Sequence, residues 1–165
     1  MNQVANELFA RIKQDGSING PVIKVDRFLN HMVDPMLIAR LGAELAGRFA
    51  DQKIDKVITA ESSGIMIAQA LAGQLGIPFI YAKKKRPLTM GAFFAASSYS
   101  FTKEESTTLY VAREMILPGD RLLFADDFFA VGSTYKAIAQ IVEQADAKLI
   151  GAAVSIPIGL SNTCV

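Results

Sequence analysis

The 165-residue sequence is poor in the side chains that form disulfides or bind zinc. Its single cysteine, Cys164, excludes an internal disulfide, and its single histidine, His31, leaves little scope for a zinc cluster. The 17 Lys and Arg residues nearly balance the 16 Asp and Glu residues, giving a net charge of +1, so no overall charge attracts nucleic acid or an anionic membrane. Chemistry should therefore come from carboxylates, hydroxyls, lysines and backbone amides, and any anion site should be local.

The sequence also lacks long apolar runs. Hydrophobic residues make up 51% of the chain, yet no run approaches the ~20 residues needed to span a bilayer. Residues 1–16 show no charged segment followed by an apolar stretch, so no signal peptide is predicted. We expect one cytoplasmic domain, residues 1–165, with neither nucleic acid nor a membrane as partner.

Apolar periodicity predicts strands that alternate with helices. Val4, Leu8 and Ile12 recur at helical spacing, and Asp34-Pro35 offers an N-cap and a first-turn proline for a helix over about 35–50. Further strands are predicted over 22–26, 56–60, 79–82, 121–125 and 148–156, with helices over 65–75 and from 132. Near-continuous apolar strands between amphipathic helices predict an α/β fold with a parallel sheet flanked by helices.

Residues 83–113 follow neither pattern. The segment opens with four basic residues and includes the polar stretch 97–106. A long polar insertion within a compact domain is usually functional or mobile, so we expect a loop that serves the site.

The most informative segment is 122–134, where an apolar strand is predicted to end at Asp126 and Asp127 and Gly132-Ser133-Thr134 opens a helix. Backbone N–H groups and hydroxyls at a helix start can hold a phosphate. The carboxylates can accept hydrogen bonds from the vicinal hydroxyls of a sugar, so a sugar 5-phosphate fits both features. An Asp pair alone fits a solvated strand end as well, but the thirteen-residue pattern is more specific.

Two more segments fit an anion. Glu61-Ser62-Ser63-Gly64 lets backbone amides approach a phosphate, although a capped helix start explains it equally well. Lys83-Lys84-Lys85-Arg86 supplies local positive charge, although an isolated run is more often a solvated surface. A serine hydrolase is excluded because the Gly-x-Ser-x-Gly elbow is absent, and the absence of Gly-x-Gly-x-x-Gly argues against a dinucleotide enzyme.

The strand, Asp pair and phosphate loop of 122–134 resemble the signature of type I phosphoribosyltransferases. Over about residues 16–154 the chain is most similar to the bacterial xanthine phosphoribosyltransferase family, in the segments 23–31, 61–64, 82–84, 88–89 and 99–103. The resemblance implies a pentosyltransferase of purine salvage that joins xanthine, or guanine or hypoxanthine, to phosphoribosyl pyrophosphate and releases pyrophosphate. It also implies a homodimer, with Mg²⁺ carried by the substrate and no direct protein ligands.

The resemblance further implies a small N-terminal hood, residues 1–33, a flexible catalytic loop, residues 83–113, and a non-proline cis peptide bond in the 61–64 loop. We assign catalysis to Asp126, Asp127 and Lys84. Binding of phosphoribosyl pyrophosphate is assigned to Glu61, Ser62, Ser63, Gly64, Lys83, Lys103, Ala130, Val131, Gly132, Ser133 and Thr134.

The purine is expected to contact Ile23, Asn30 and Phe128. The resemblance places Ile23 and Asn30 at base-contacting positions, and an amide offers both a donor and an acceptor to a purine edge. Phe128 can flank a planar base. Taken alone, a turn cap explains Asn30 and core packing explains Phe128 equally well.

The sequence departs from the family after the last predicted strand. Pro157 and Ile158 stand where the family typically has an acidic residue and a lysine that contacts the purine, and Val131 stands where xanthine-specific members usually have asparagine. This departure favours an alternative, a non-catalytic sensor of phosphoribosyl pyrophosphate or a nucleotide on the same fold. The retained Asp pair, Lys84 and insertion favour the enzyme.

Overall fold

A computed structural model describes residues 3–19, 22–100, 105–129 and 131–157. The elements along the chain are α1 (Gln3–Asp15), β1 (Ser17–Asn19), β2 (Val22–Lys24), a π-helical turn (Asp26–Asn30), α2 (Pro35–Arg48), β3 (Lys56–Ala60), α3 (Gly64–Leu75), β4 (Phe79–Ala82), β5 (Phe93–Ser100), β6 (Glu105–Ala112), a 3-10 turn (Arg113–Met115), β7 (Arg121–Phe129), α4 (Ser133–Gln144) and β8 (Lys148–Pro157). None of the described helices is long and apolar enough to cross a membrane.

The central sheet has four parallel strands in the order β4-β3-β7-β8. Helix α3 connects β3 to β4, and α4 connects β7 to β8. The predicted α/β fold with a parallel sheet flanked by helices is therefore confirmed. Because β3 and β7 are neighbours, the loops that follow these two strands open at the same edge of the sheet.

Two hydrophobic layers cover the sheet. On one face α1, the π-helical turn, α2 and α3 pack against it, and Phe28, Leu37, Ile67, Leu71 and Leu123 are among the buried residues. On the other face α4 and the β5–β6 hairpin pack against it, with Phe124, Leu109, Ile138 and Ile141 buried. Both faces are covered, which explains why the strands read as near-continuous apolar runs.

Local signals place the helix boundaries close to the predicted ones. Asp34 caps α2 as expected, since its Oδ1 accepts hydrogen bonds from Met36 N (3.0 Å) and Leu37 N (3.1 Å). The helix ends at Arg48 rather than at the predicted Ala50. Helix α3 ends at Gly76, whose φ of 67° is in the left-handed region that favours glycine.

Two expectations about the local structure are wrong. The 83–113 insertion contains regular structure, because β5 and β6 form an antiparallel hairpin. The local sequence pattern did not predict these two strands. Strand β7 does not end at Asp126 and Asp127; it continues to Phe129, because β8 pairs with it as far as Pro157. The two carboxylates therefore lie within a paired strand.

Candidate active site

A cleft of about 360 Å³ lies at the carboxyl edge of the sheet. Its walls come from the π-helical turn, the ends of β3 and β7, the first turn of α4 and the β5–β6 hairpin. The lining residues are Asn30, Ala60, Glu61, Ser63, Lys84, Ser98, Thr107, Leu109, Asp126, Asp127, Phe128, Ser133 and Thr134. Segments that are far apart in the sequence thus converge on one cleft.

Asp127 forms a buried anionic floor. The residue is 3% exposed, and its Oδ1 accepts hydrogen bonds from Ser63 Oγ (2.9 Å) and from the backbone N–H of Phe128 (3.1 Å). Its Oδ2 is buried and has no hydrogen-bond partner within the described parts of the chain. A buried carboxylate oxygen without a donor is costly, so this atom is available to a hydroxyl donor of a bound ligand.

The neighbouring carboxyl is held in its protonated form. Burial, followed by the hydrogen bond and the charge of Asp127, raises the pKa of Asp126 to about 8, although Lys84 opposes the shift. At neutral pH the protonated form of Asp126 is therefore favoured. A single glycine makes room for it, because a Cβ on Gly64 would lie 2.6 Å from Asp126 Oδ1.

The start of α4 is open to an anion. Gly132 precedes the helix with φ 71°, and the helix start has no hydrogen bond from a capping side chain. A Cβ on Gly132 would lie 2.9 Å from the ring of Phe129, so the tight turn needs glycine. Ser133 and Thr134, the first two residues of α4, line the cleft, and an uncapped helix start of this kind can hold a phosphate.

The Glu61–Gly64 loop, the second segment predicted to bind an anion, is hydrogen-bonded to Lys84. The peptide bond between Glu61 and Ser62 is cis, as the family resemblance implied. Glu61 Oε2 accepts a hydrogen bond from Lys84 N at 2.8 Å, which places Lys84 at the cleft. The side chain of Ser63 is turned away from capping α3 and donates to Asp127 instead.

Several predicted site residues lie elsewhere. Ser62 and Val131 are exposed and do not line the cleft. The Lys83 backbone pairs with Tyr110, and its ammonium lies 5.0 Å from the centre of the Tyr81 ring. The roles assigned to Ser62, Val131 and Lys83 in binding phosphoribosyl pyrophosphate therefore stay predictions.

Two of the three residues predicted to contact the purine line the cleft. Asn30 and Phe128 line the cleft, whereas Ile23 packs against the core layer that contains α2 and α3. Ala130, Lys103 and Ile158 lie outside the described residues.

Sequence reasoning missed the contribution of the hairpin. Ser98 and Thr107 are directly opposite each other on β5 and β6, and both line the cleft together with Leu109. No local motif marks these residues, because only the antiparallel pairing brings them over the sheet edge. A prediction of two paired strands over 93–100 and 105–112 would have been needed to identify Ser98 and Thr107 as site residues.

The carboxylates fit a magnesium ion only in part. No cluster of three or more His, Cys, Asp or Glu side chains that could hold a metal occurs in the ranges that the structure describes. Mg²⁺ typically keeps several waters and takes one or two carboxylates together with substrate phosphates. The partnerless Oδ2 of Asp127 suits that arrangement, whereas the raised pKa of Asp126 makes its carboxyl a poor ligand.

Comparisons with known proteins agree with this geometry. The model of the phosphoribosyl transferase domain matches residues 24–161. The chain is 41% identical over 152 residues to xanthine phosphoribosyltransferase of Exiguobacterium sp., covering 91% of this chain and 79% of that protein. It is 44% identical over 147 residues to the Brevibacillus brevis enzyme of the same name, covering 88% and 75%.

A solved structure shows the same fold. The adenine phosphoribosyltransferase of Rhodothermus marinus superposes with a TM-score of 0.74 at 28% identity, covering 94% of this chain and 88% of that one. Its purine differs from that of the sequence relatives, so the fold alone does not select a base. The family match over most of the chain, joined to an Asp pair beside an open helix start, places this protein in the phosphoribosyltransferase family, as a pentosyltransferase of the type I fold.

Proposed function

We propose that the protein transfers the phosphoribosyl group of phosphoribosyl pyrophosphate to xanthine, and to guanine or hypoxanthine as secondary acceptors, in purine salvage. The observation that carries the proposal is the convergence of the Asp126–Asp127 pair, the open start of α4 and Lys84 on one cleft. A sugar with a 5-phosphate and a polyanionic leaving group matches these three features together. The relatives named xanthine phosphoribosyltransferase support the choice of acceptor.

The proposed chemistry follows from where charge develops. When the bond between the anomeric carbon and pyrophosphate breaks, positive charge builds on the ribose and negative charge on the leaving group. Asp127, with Asp126 beside it, stabilises the positive charge on the ribose. Lys84 and the backbone amides of the 61–64 loop stabilise the negative charge on the departing pyrophosphate. Catalysis is then positioning and electrostatics, without a covalent enzyme intermediate. Mg²⁺ bound with the pyrophosphate supplies further charge neutralisation.

The N-terminal segment and the hairpin complete the proposed site. Residues 1–33 form the hood, from which Asn30 reads the purine edge, and residues 83–113 form the catalytic loop that excludes water. Ser98 and Thr107 place hydroxyls from this loop over the cleft. A homodimer working in the cytoplasm is part of the same proposal.

Product formation tests the function directly. The purified protein is mixed with Mg²⁺, phosphoribosyl pyrophosphate and each of xanthine, guanine, hypoxanthine and adenine, and nucleotide is measured by chromatography. We expect turnover with xanthine, reduced at least about 100-fold in Asp127→Asn because a buried anionic contact is lost. The matched control is Asp51→Asn, which removes an exposed carboxyl.

Two outcomes would overturn the proposal. Turnover with adenine alone would assign the protein to a different acceptor. Binding of phosphoribosyl pyrophosphate without turnover of any base would point to the sensor on this fold, which the departure at Pro157 favours.

A further inference from the structure

Asn30 is carried into the cleft by a short, tightly bonded segment, residues 26–34, between β2 and α2. Within it Met32 N donates to Asp26 O at 2.7 Å, and Asp34 N donates to Phe28 O at 2.9 Å. Phe28 is fully buried and its neighbour Leu29 is 1% exposed. The position of the Asn30 side chain therefore depends on how this segment is seated.

One guanidinium contacts the segment on both sides of Asn30. Arg11 of α1 has its Cζ 5.3 Å from the centre of the Phe28 ring, and its Nη1 donates to Asp34 Oδ2 at 3.1 Å. Its Nε lies 2.9 Å from Asp15 Oδ2, an ion pair within α1. The other oxygen of Asp34 is used in capping α2, so Oδ2 is the atom left for Arg11.

From this geometry we propose that Arg11 is a positioning residue for purine recognition: it holds the 26–34 segment and, through that segment, the side chain of Asn30. The inference rests on the proposed function, because it takes Asn30 as a purine contact. Arg11 does not line the cleft. Its effect should therefore fall on the purine, since the residues proposed for phosphoribosyl pyrophosphate lie on other elements.

A second arginine provides a matched control. Arg40 of α2 also ties α1 to α2, because its Nε donates to Glu7 Oε2 at 2.9 Å. Within the described residues Arg40 makes no hydrogen bond to the 26–34 segment. Removing Arg40 breaks an ion pair between α1 and α2. Removing Arg11 instead breaks the ion pair between α1 and Asp34 of the segment that carries Asn30. Arg40 interacts with Asp34 only through charge at longer range.

The test compares KM for xanthine with KM for phosphoribosyl pyrophosphate in Arg11→Gln, Arg11→Lys and Arg40→Gln. We expect Arg11→Gln to raise KM for xanthine about tenfold and KM for phosphoribosyl pyrophosphate less than about twofold. Arg11→Lys keeps the charge opposite Asp34 and should restore most of the xanthine affinity. Arg40→Gln should leave both constants near the wild-type values.

A double-mutant cycle with Asn30→Ala separates positioning from scaffolding. If Arg11 acts through Asn30, adding Arg11→Gln to Asn30→Ala should raise KM for xanthine less than about twofold further. Full additivity, or an equal rise of both KM values, would overturn the inference. If Arg11→Gln does not fold, as judged by circular dichroism, the cycle is run with Arg11→Met, which keeps a long side chain beside Phe28 and removes the charge opposite Asp34. A rise in KM for xanthine that does not add to that of Asn30→Ala is expected, and full additivity overturns the inference.

The two proposals fail in distinguishable ways. A wild-type protein that turns over no purine overturns the proposed function and this inference with it. An active Arg11→Gln variant with an unchanged KM for xanthine overturns only the role of Arg11.

Discussion

Two adjacent aspartates of the cleft have different environments although they share a strand. Asp127 accepts hydrogen bonds from Ser63 and from a backbone N–H. Asp126 is buried beside that charge, and its pKa is raised to about 8. Neighbours in the fold therefore decide which member of the pair holds the proton.

The raised pKa of Asp126 makes stability depend on pH. The pKa of this carboxyl is 3.8 in the unfolded chain and about 8 in the folded protein, so the stabilisation is full below about pH 4 and is lost as the pH rises to and through 8. We expect Asp126→Asn to gain stability relative to the wild-type chain between pH 5 and pH 8, on the order of 4 kcal/mol, because the folded wild-type chain holds a proton over this interval that the unfolded chain has lost. Urea denaturation at both pH values measures this, and a difference that does not change with pH would contradict it.

At the scale of single elements, the start of α4 combines a left-handed backbone position with a proposed phosphate site. Gly132 has a positive φ and its α-hydrogen faces the ring of Phe129. Gly76, which ends α3, has almost the same φ of 67°, but a Cβ there would meet no atom within 4 Å. The two glycines share a backbone requirement and differ in their surroundings.

Alanine substitution should separate these two cases. Gly132→Ala and Gly76→Ala should each destabilise the fold by about 1–2 kcal/mol, because an L-residue is disfavoured in the left-handed region. Only Gly132→Ala should also raise KM for phosphoribosyl pyrophosphate, by about tenfold, because the displaced helix start no longer presents its N–H groups to the phosphate. Denaturation and steady-state kinetics on both variants measure this; an unchanged KM in a folded Gly132→Ala would argue against a phosphate site at α4.

At the scale of the whole molecule, the cleft depends on how closely the layers pack. Helices α2 and α3 cover one face of the sheet, and they approach each other at Gly42, where a Cβ would lie 2.7 Å from the Cβ of Ala70. The other face is tied together by the side chain of Gln144 at the end of α4, which bonds both the N–H and the carbonyl of Ala95 in the hairpin. Such contacts hold α2 against α3 on one face of the sheet and the hairpin against α4 on the other.

Helix packing can be tested with two glycines of one helix. Gly42→Ala should destabilise the protein by about 1–3 kcal/mol, because α2 and α3 must separate. Gly47→Ala, in the same helix with open space around it, should be neutral or stabilising by up to about 1 kcal/mol through helix propensity. Thermal or urea denaturation measures both, and equal effects of the two substitutions would show that α2 and α3 do not pack this closely.

Much of the site follows from local sequence, because each part is a short motif at the end of a strand. The Asp126–Asp127 pair, the glycine before Ser133 and the Glu61–Gly64 turn are predicted without any knowledge of tertiary contacts. The hairpin residues Ser98 and Thr107 are not, since their partners come from another strand. Ile23, which the family resemblance places at a base-contacting position, packs against the core and does not line the cleft, so its contact with the purine stays a prediction.

The sequence by itself determined the alternation of strands and helices, the capping of α2 by Asp34 and the chemistry of the phosphate loop. These features depend on periodicity and on hydrogen bonds between residues a few positions apart. Only the tertiary structure decided that Ser63 bonds Asp127, that Asp126 keeps its proton and that Arg11 holds the segment that carries Asn30. Those features depend on burial and on contacts between distant segments, and neither exists until the sheet, helices and hairpin have packed.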